Sequence, residues 1–538
     1  MLYTGLSPLL YLPVLGFGSG MTRAAATAAE EPDLSRLPDL LKSISADVFP
    51  GLKALAQDIH ANPETSTREH HAHDTVVAYF TEQVPGLWEV TPHAYGEPTA
   101  FALDFTHTPA GYAAGPDPPP AVGFMAEYDA LLGIGHACGH NHILLNGLAA
   151  ATAARQALVE LGIPGRIRML GTPDEENTAG KARLLDKGAF DDGGGIDVWL
   201  MAHPTSANAI QPMQARVNAA AAFSADRHTD AVRAAYEALV AVVDLAGTLP
   251  GTASSAMPVE DVGMFSTNVV AQRVEFGIAG LGVDEVRKTV AALLDDTYPG
   301  VEYSVTASGD VVEGGSGVNL TVTGPGGHAS EGTKSPLRLT IETFRSLTGS
   351  GKEGLSFFLP GNTTVTELAV TTSVRTRYTA DLDAVLAEVE PALSGHASGA
   401  IATDRPYAAL EVVRPLGDRF IALMRDADHD DGGNWGYSAT APAATDAGLV
   451  EEPTLDPETR ELLAVRRAVL HANYDICDRA AGAASPCGFN HEPVFERTAA
   501  TEYSYARTEV VARAQAQMAV EAIADERVMA GFVSLVRR

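Results

Sequence analysis

The chain has 538 residues and a formal net charge of −31, with 37 Lys and Arg against 68 Asp and Glu. That balance argues against nucleic acid as a partner, since phosphate binding needs clustered cations, and a 46% hydrophobic, 20% charged composition is that of a globular chain. Three cysteines cannot build a disulfide framework, and no apolar run approaches the roughly 20 residues of a membrane span. A cytoplasmic protein with no membrane partner is the expectation.

The opening MLYTGLSPLLYLPVLGFGSG is apolar but lacks the basic start of a secretory signal, and Met21 offers an alternative start. Residues 33–60 carry a helical pattern in Leu37, Leu41, Ile44, Val48, Leu52, Leu55 and Ile59. A second helix is expected over 72–84, with His70, His71 and His73 on its surface. Residues 121–126 read as a buried strand, 142–161 as a long helix, 166–170 as a strand, 178–188 as a helix and 196–201 as a strand. Strands alternating with helices predict an α/β fold: a mixed, mostly parallel sheet with helices on both faces.

Between 206 and 418 the pattern changes. Helices over 228–246, 283–295, 334–348 and 381–393 alternate with β-rich stretches at 268–279, 301–306, 317–323 and 364–374. Two passes of an αβ unit are expected there, forming an inserted α+β domain. Residues 33–205 and 419–538 then form the two parts of the first domain, which ends in an Ala-rich helix over about 503–524.

The loop after the first buried strand, Glu127-Tyr-Asp-Ala-Leu-Leu-Gly-Ile-Gly-His-Ala-Cys-Gly-His140, sets the Cys138 thiol and the His140 imidazole two residues apart, able to face one cation. Glu175-Glu176 and His203 follow the next two strands, the edge where ligands collect in open α/β sheets. His491 lies in Phe489-Asn-His-Glu-Pro-Val-Phe495. Thiolate, imidazole and carboxylate are donors that zinc prefers. Cys138 must be a free thiolate to bind metal, which suits a reducing compartment; Cys477 and Cys487 could bridge, but two free thiols are the expectation.

Adjacent glutamates in a loop point in different directions. One of the pair can bind metal while its neighbour takes the proton of a metal-activated water. Asp129 is expected to orient a metal-bound imidazole by accepting its other N–H. Gly324-Pro-Gly-Gly-His328-Ala-Ser330 lacks the Lys-Ser or Lys-Thr of a phosphate loop. It offers a histidine that could close over a substrate and stabilise an oxyanion.

Asp58-Ile-His-Ala-Asn-Pro-Glu64, Ala126-Glu-Tyr-Asp-Ala-Leu131, Gly135-His-Ala-Cys-Gly-His-Asn141, Gly171-Thr-Pro-Asp-Glu-Glu176 and Met201-Ala-His-Pro204 follow in that order. Together they resemble the peptidase M20 family of dinuclear metallopeptidases, which includes aminoacylase and hippurate hydrolase. They are most similar to its aminobenzoyl-glutamate hydrolase and dipeptidase branch. The resemblance implies a catalytic domain interrupted by a lid domain that often dimerises, so a homodimer through the lid is expected. It implies two divalent metal ions, zinc first, with manganese or cobalt as alternatives. Their ligands would be Cys138 (bridging), His140, Glu176, His203 and His491, with Glu175 as general base and His328 as the lid histidine. The activity implied is hydrolysis of an amide or dipeptide bond next to a free carboxylate, on a dipeptide or an N-acyl amino acid. The alternative is a metal-binding protein that has lost hydrolysis and serves binding or assembly. One departure stands out: residues 215–233 lack the family's Gly-x-x-His-Ala turn, and a similar turn comes about a hundred residues later. The lid is therefore expected to be extended or rearranged, with His228 competing for the role of His328.

Overall fold

The computed structural model describes residues 32–537 apart from 113, 114, 116, 193, 194, 247–258, 261–268, 313, 314, 329–334, 427–433, 442 and 485. The apolar opening and Met21 lie outside the described residues.

A seven-stranded mixed sheet forms the first layer. Its order is Glu89–Pro92, Phe101–His107, Gly165–Gly171, Ala121–Ala126, Val198–Thr205, Ala468–Asp475 and Ala209–Ile210. The middle strands 165–171, 121–126, 198–205 and 468–475 run parallel, and antiparallel strands close both sides. Every residue of Ala121–Ala126 is buried, as expected of a strand covered on two faces. Helix His140–Leu161 is buried on nearly all sides because it is packed between the sheet and the helices Leu37–Ala61 and Glu502–Ala524.

Two hydrophobic cores divide the chain. One takes residues from Leu37 to Met213 and from Leu410 to Phe532; the other takes Ala215 to Ala409. The second core lies under two four-stranded antiparallel sheets. The first has the order Glu302–Val312, Gly315–Thr323, Arg273–Ala279, Ser356–Phe358, and the second Ala402–Thr403, Ala215–Ser224, Glu367–Thr376, Val259–Glu260. Helix His228–Ala246 touches strands of both sheets. Its Tyr236 ring lies 4.5 Å from Phe276, which stacks on Phe357 at 5.4 Å, so both sheets share one interior.

Several expectations need correction. Cys477 and Cys487 are joined in a disulfide: the turn at Arg479–Ala484 brings their Cα atoms to 5.1 Å, within bridging range. Cys138 is a free, buried thiol. His73 is buried rather than on the surface, stacked at 4.4 Å on His93, whose backbone N–H it accepts. The strand carrying His203 runs on to Thr205, so His203 lies within it and faces Asn473 in register. Among the described residues no helix is long and apolar enough to cross a membrane.

Candidate metal centre

The loop from Glu127 to Gly139 turns the chain from the end of strand 121–126 into helix 140–161. Gly139, between the two donors Cys138 and His140, adopts φ +81°, and a Cβ there would lie 2.5 Å from Pro204 Cγ. Only glycine allows the loop to press that closely on the segment carrying His203. His491 also takes a left-handed backbone (φ +72°), a costly conformation for a non-glycine residue. Three hydrogen bonds hold that segment in place. His491 N–H donates to Ala137 O at 2.9 Å, and the Asn490 amide donates to both Cys138 O and Pro204 O at 3.0 Å.

The imidazoles are aimed by their outer nitrogens. His140 Nδ1 is 3.0 Å from Asp129 Oδ1, which leaves Nε2 facing Glu127 Oε2 and Glu176 Oε1, each at 3.6 Å. The other Asp129 oxygen accepts from Ser66 at 2.7 Å and from the Glu176 backbone at 3.0 Å, so one carboxylate orients two of the donors. His203 Nδ1 faces Pro204 O at 2.8 Å, and its Nε2 lies 3.5 Å from Cys138 Sγ. His491 Nε2 is 3.4 Å from Glu176 Oε1.

These contacts resolve into two groups of ligand atoms, each within 4.8 Å: Cys138, His140 and His203, and Cys138, Glu176 and His491. The thiol belongs to both. Burial and the Glu176 carboxylate oppose ionisation of Cys138, but the surrounding imidazoles of His140, His491 and His203 outweigh them and bring its pKa down to about 6. Burial likewise opposes charge on His140 and His491, yet the adjacent thiolate and carboxylates raise both well above the ordinary histidine value. The centre thus favours positive charge. Its donor set, with Nδ1 tied back and Nε2 turned inward on two histidines, fits a pair of divalent cations.

Glu175 stands beside this set, buried on the wall of a cavity of about 720 Å³. Its carboxyl is held well above the usual carboxylate range by burial and by Glu127 and Glu176. The Tyr407 hydroxyl donates to Glu175 O at 2.5 Å and accepts from Ala179 N–H at 3.1 Å, linking the loop to the segment that returns from the second core. Thr205, Met213, Gln214, Arg377, Asn473 and Phe489 are also on the cavity wall. Arg377 is held there by two bonds to Glu411, at 2.6 and 2.7 Å.

His328 reaches this cavity from the second core. Gly326 and Gly327 both take positive φ (79° and 136°), and the turn is pinned by Val270 N–H on Gly327 O at 2.9 Å. The His328 ring centroid lies 4.4 Å from that of His491. Burial, His491 and Arg375 push its pKa well below the ordinary value, so it is neutral. His228 is not among the residues of that cavity. It serves the inserted core, its Nδ1 bonded to Val365 O and its Nε2 accepting from Leu359 N–H at 3.0 Å.

Sequence reasoning missed Glu127, Lys181, Asp446, Asn490 and Tyr407. Glu127 directly follows a buried strand, the same signal that marked the candidate ligands. Lys181 had no signal, since a lysine in a short helix reads as solvated.

Residues 123–307 match the sequence profile of peptidase family M20/M25/M40. Human Xaa-Arg dipeptidase is 42% identical over 179 residues, an alignment that takes in 32% of this chain and 40% of that protein. A p-aminobenzoyl-glutamate hydrolase component from Escherichia coli (strain K12) is 31% identical over 172 residues, covering 28% of this chain and 31% of that protein. The matched region thus spans less than half the length of these relatives. A crystal structure of an aminobenzoyl-glutamate utilization protein from Klebsiella pneumoniae covers 89% of this chain and 98% of its own, at 13% identity and a TM-score of 0.42, too loose a superposition to bear on function. The stretch that matches the peptidase family M20/M25/M40 profile takes in Cys138, His140, Glu175, Glu176 and His203.

Proposed function

We propose that the protein is a metal-dependent hydrolase that cleaves an amide or dipeptide bond next to a free carboxylate, in a dipeptide or an N-acyl amino acid. The observation that carries this reading is Glu175: a buried carboxyl on the cavity wall, next to but outside the two donor groups that share Cys138. Two divalent ions, zinc first, would be held by Cys138 in common, with His140 and His203 on one side and Glu176 and His491 on the other. Bound there, they would polarise the scissile carbonyl and lower the pKa of a water.

The chain's own residues supply the rest. Glu175, its carboxyl held above the usual carboxylate range by burial and by Glu127 and Glu176, takes a proton from the attacking water and returns it to the leaving nitrogen. Neutral His328 donates a hydrogen bond to the oxygen on which charge develops. The Arg377 guanidinium on the cavity wall can face the substrate carboxylate. A binding-only protein would gain nothing from a buried, proton-accepting Glu175 set beside its ligands, where it raises the cost of burial.

The test is a hydrolysis screen over dipeptides, including Xaa-Arg substrates, and N-acyl amino acids, with zinc, manganese or cobalt supplied to metal-free protein. Metal-dependent release of an amino acid is expected. Full-rate hydrolysis by the metal-free protein, or none with any ion and any substrate, would overturn the reading.

A further inference from the structure

A third group of ligand atoms lies within 4.8 Å and is not accounted for above: Glu127, His140 and Glu175. Glu127 is fully buried. One of its oxygens, Oε1, is bonded to Lys181 Nζ. The other, Oε2, points at the inner nitrogen of His140 from 3.6 Å. Lys181 is also fully buried, and its Nζ reaches Asp446 Oδ1 at 2.5 Å while its backbone N–H bonds Asp446 Oδ2 at 2.9 Å. Lysine and aspartate thus form a rigid clamp on one side of the Glu127 carboxylate and leave the other side facing the metal centre.

A structural role alone explains this poorly. Burying a lysine with two carboxylates leaves a net negative charge, which is costly unless another cation shares it. The Glu127 oxygen that Lys181 leaves faces the grouped thiol, imidazole and carboxylate donors, a place suited to cations. Two ligand atoms bound to one tetrahedral zinc at the usual 2.0–2.2 Å lie about 3.3–3.6 Å apart. Glu127 Oε2 and His140 Nε2 have that spacing.

We propose that Glu127 is a further metal ligand on the His140 side of the centre, aimed there by Lys181 and Asp446. The inference rests on the two-ion reading of the site, and binding measurements separate the two. Metal-free wild type, Glu127→Gln and Glu127→Asp are titrated with Zn²⁺ against a chromophoric chelator, and with Co²⁺ while the visible absorption is recorded. Wild type is expected to take two ions. Glu127→Gln should weaken one of them by about 10- to 100-fold, leave the other unchanged, and alter the intensity of the Co²⁺ bands, which report coordination number. Glu127→Asp keeps the charge opposite Lys181 but shortens the reach, and should weaken the same ion. Far-UV circular dichroism of the metal-free proteins checks folding. Should Glu127→Gln fail to fold, unaltered Zn²⁺ binding by Glu127→Asp overturns the assignment. Two wild-type affinities and an unchanged Co²⁺ spectrum in folded Glu127→Gln overturn it directly. A wild type that binds no pair of ions would refute the two-ion centre itself.

Discussion

Asn490 is the residue whose loss should show most clearly that the ligand loops hold one another. Its amide gives hydrogen bonds to Cys138 O and Pro204 O, both at 3.0 Å, and so joins the segment carrying His491 to the two segments carrying Cys138 and His203. In Asn490→Ala both bonds are lost. A net value of about 1 kcal/mol for each gives about 2 kcal/mol. Nothing above that middle value applies, because the side chain lies on a cavity wall, where water can reach the two carbonyls. The core that carries Asn490 takes in roughly 300 residues, and at about 2.1 cal/mol/K per residue a loss of about 2 kcal/mol lowers its melting temperature by about 3 °C. If all of it were withdrawn from metal binding instead, affinity would fall by at most about 30-fold, at 1.4 kcal/mol per factor of ten. The assay pairs thermal unfolding of metal-free protein with chelator competition. A drop in either quantity within those limits is expected. A melting temperature within about 1 °C of wild type together with unchanged metal affinity would show that the amide positions nothing.

Glu175→Gln should keep its metal by elemental analysis and lose about 10²- to 10⁴-fold in kcat, since it removes the proton acceptor and spares the ligands; wild-type turnover would remove Glu175 from the chemistry. Cys138→Ser should lower metal occupancy, a hydroxyl being a far weaker donor than a thiolate, and two tightly held ions in that variant would refute a shared thiolate. His328→Ala should lower kcat by about 10²- to 10³-fold with metal content unchanged, whereas His228→Ala should only reduce stability. The reverse pattern would mean that the wrong histidine serves the cavity. His142 is held neutral by burial, with a pKa of about 3 in the folded protein against an ordinary 6.5, so its contribution is complete above 6.5 and is lost as pH falls from 6.5 toward 3. The fall in melting temperature between pH 7.5 and pH 5 should therefore be smaller in His142→Gln than in wild type, and equal slopes would contradict the assignment.

The part of the fold built on the seven-stranded sheet was legible because its elements carry strong local patterns. Strand Ala121–Ala126 is six buried residues in a row, and helix His140–Leu161 differs from the expected 142–161 only at its start, where Cys-Gly-His reads as loop. The inserted region was less legible. Strand Ala215–Ser224 is rich in alanine, a weak strand former, and gave no local signal. What makes it a strand is pairing with Glu367–Thr376, some 150 residues away, which no local pattern can announce. The disulfide had the same difficulty, since Cys477 and Cys487 gain their proximity only from the turn between them.

At the candidate metal centre the residues that the structure groups around Cys138 were legible and their supports were not, for one physical reason. A ligand needs a particular residue type at a strand end, and local sequence displays that. A support needs only to arrive from elsewhere with the right charge or hydrogen bond, as Lys181 does for Glu127 and Asn490 for the Cys138 loop. His491 shows how much depends on this. Its left-handed backbone costs about 1–3 kcal/mol if nothing compensates. Its own N–H on Ala137 O and its neighbour's amide on Cys138 O and Pro204 O offset that cost. Those partners exist only once the loop after strand 121–126 and the end of strand 198–205 are already side by side. The loops of the candidate centre hold one another, so damage to any one of them should be felt at the others.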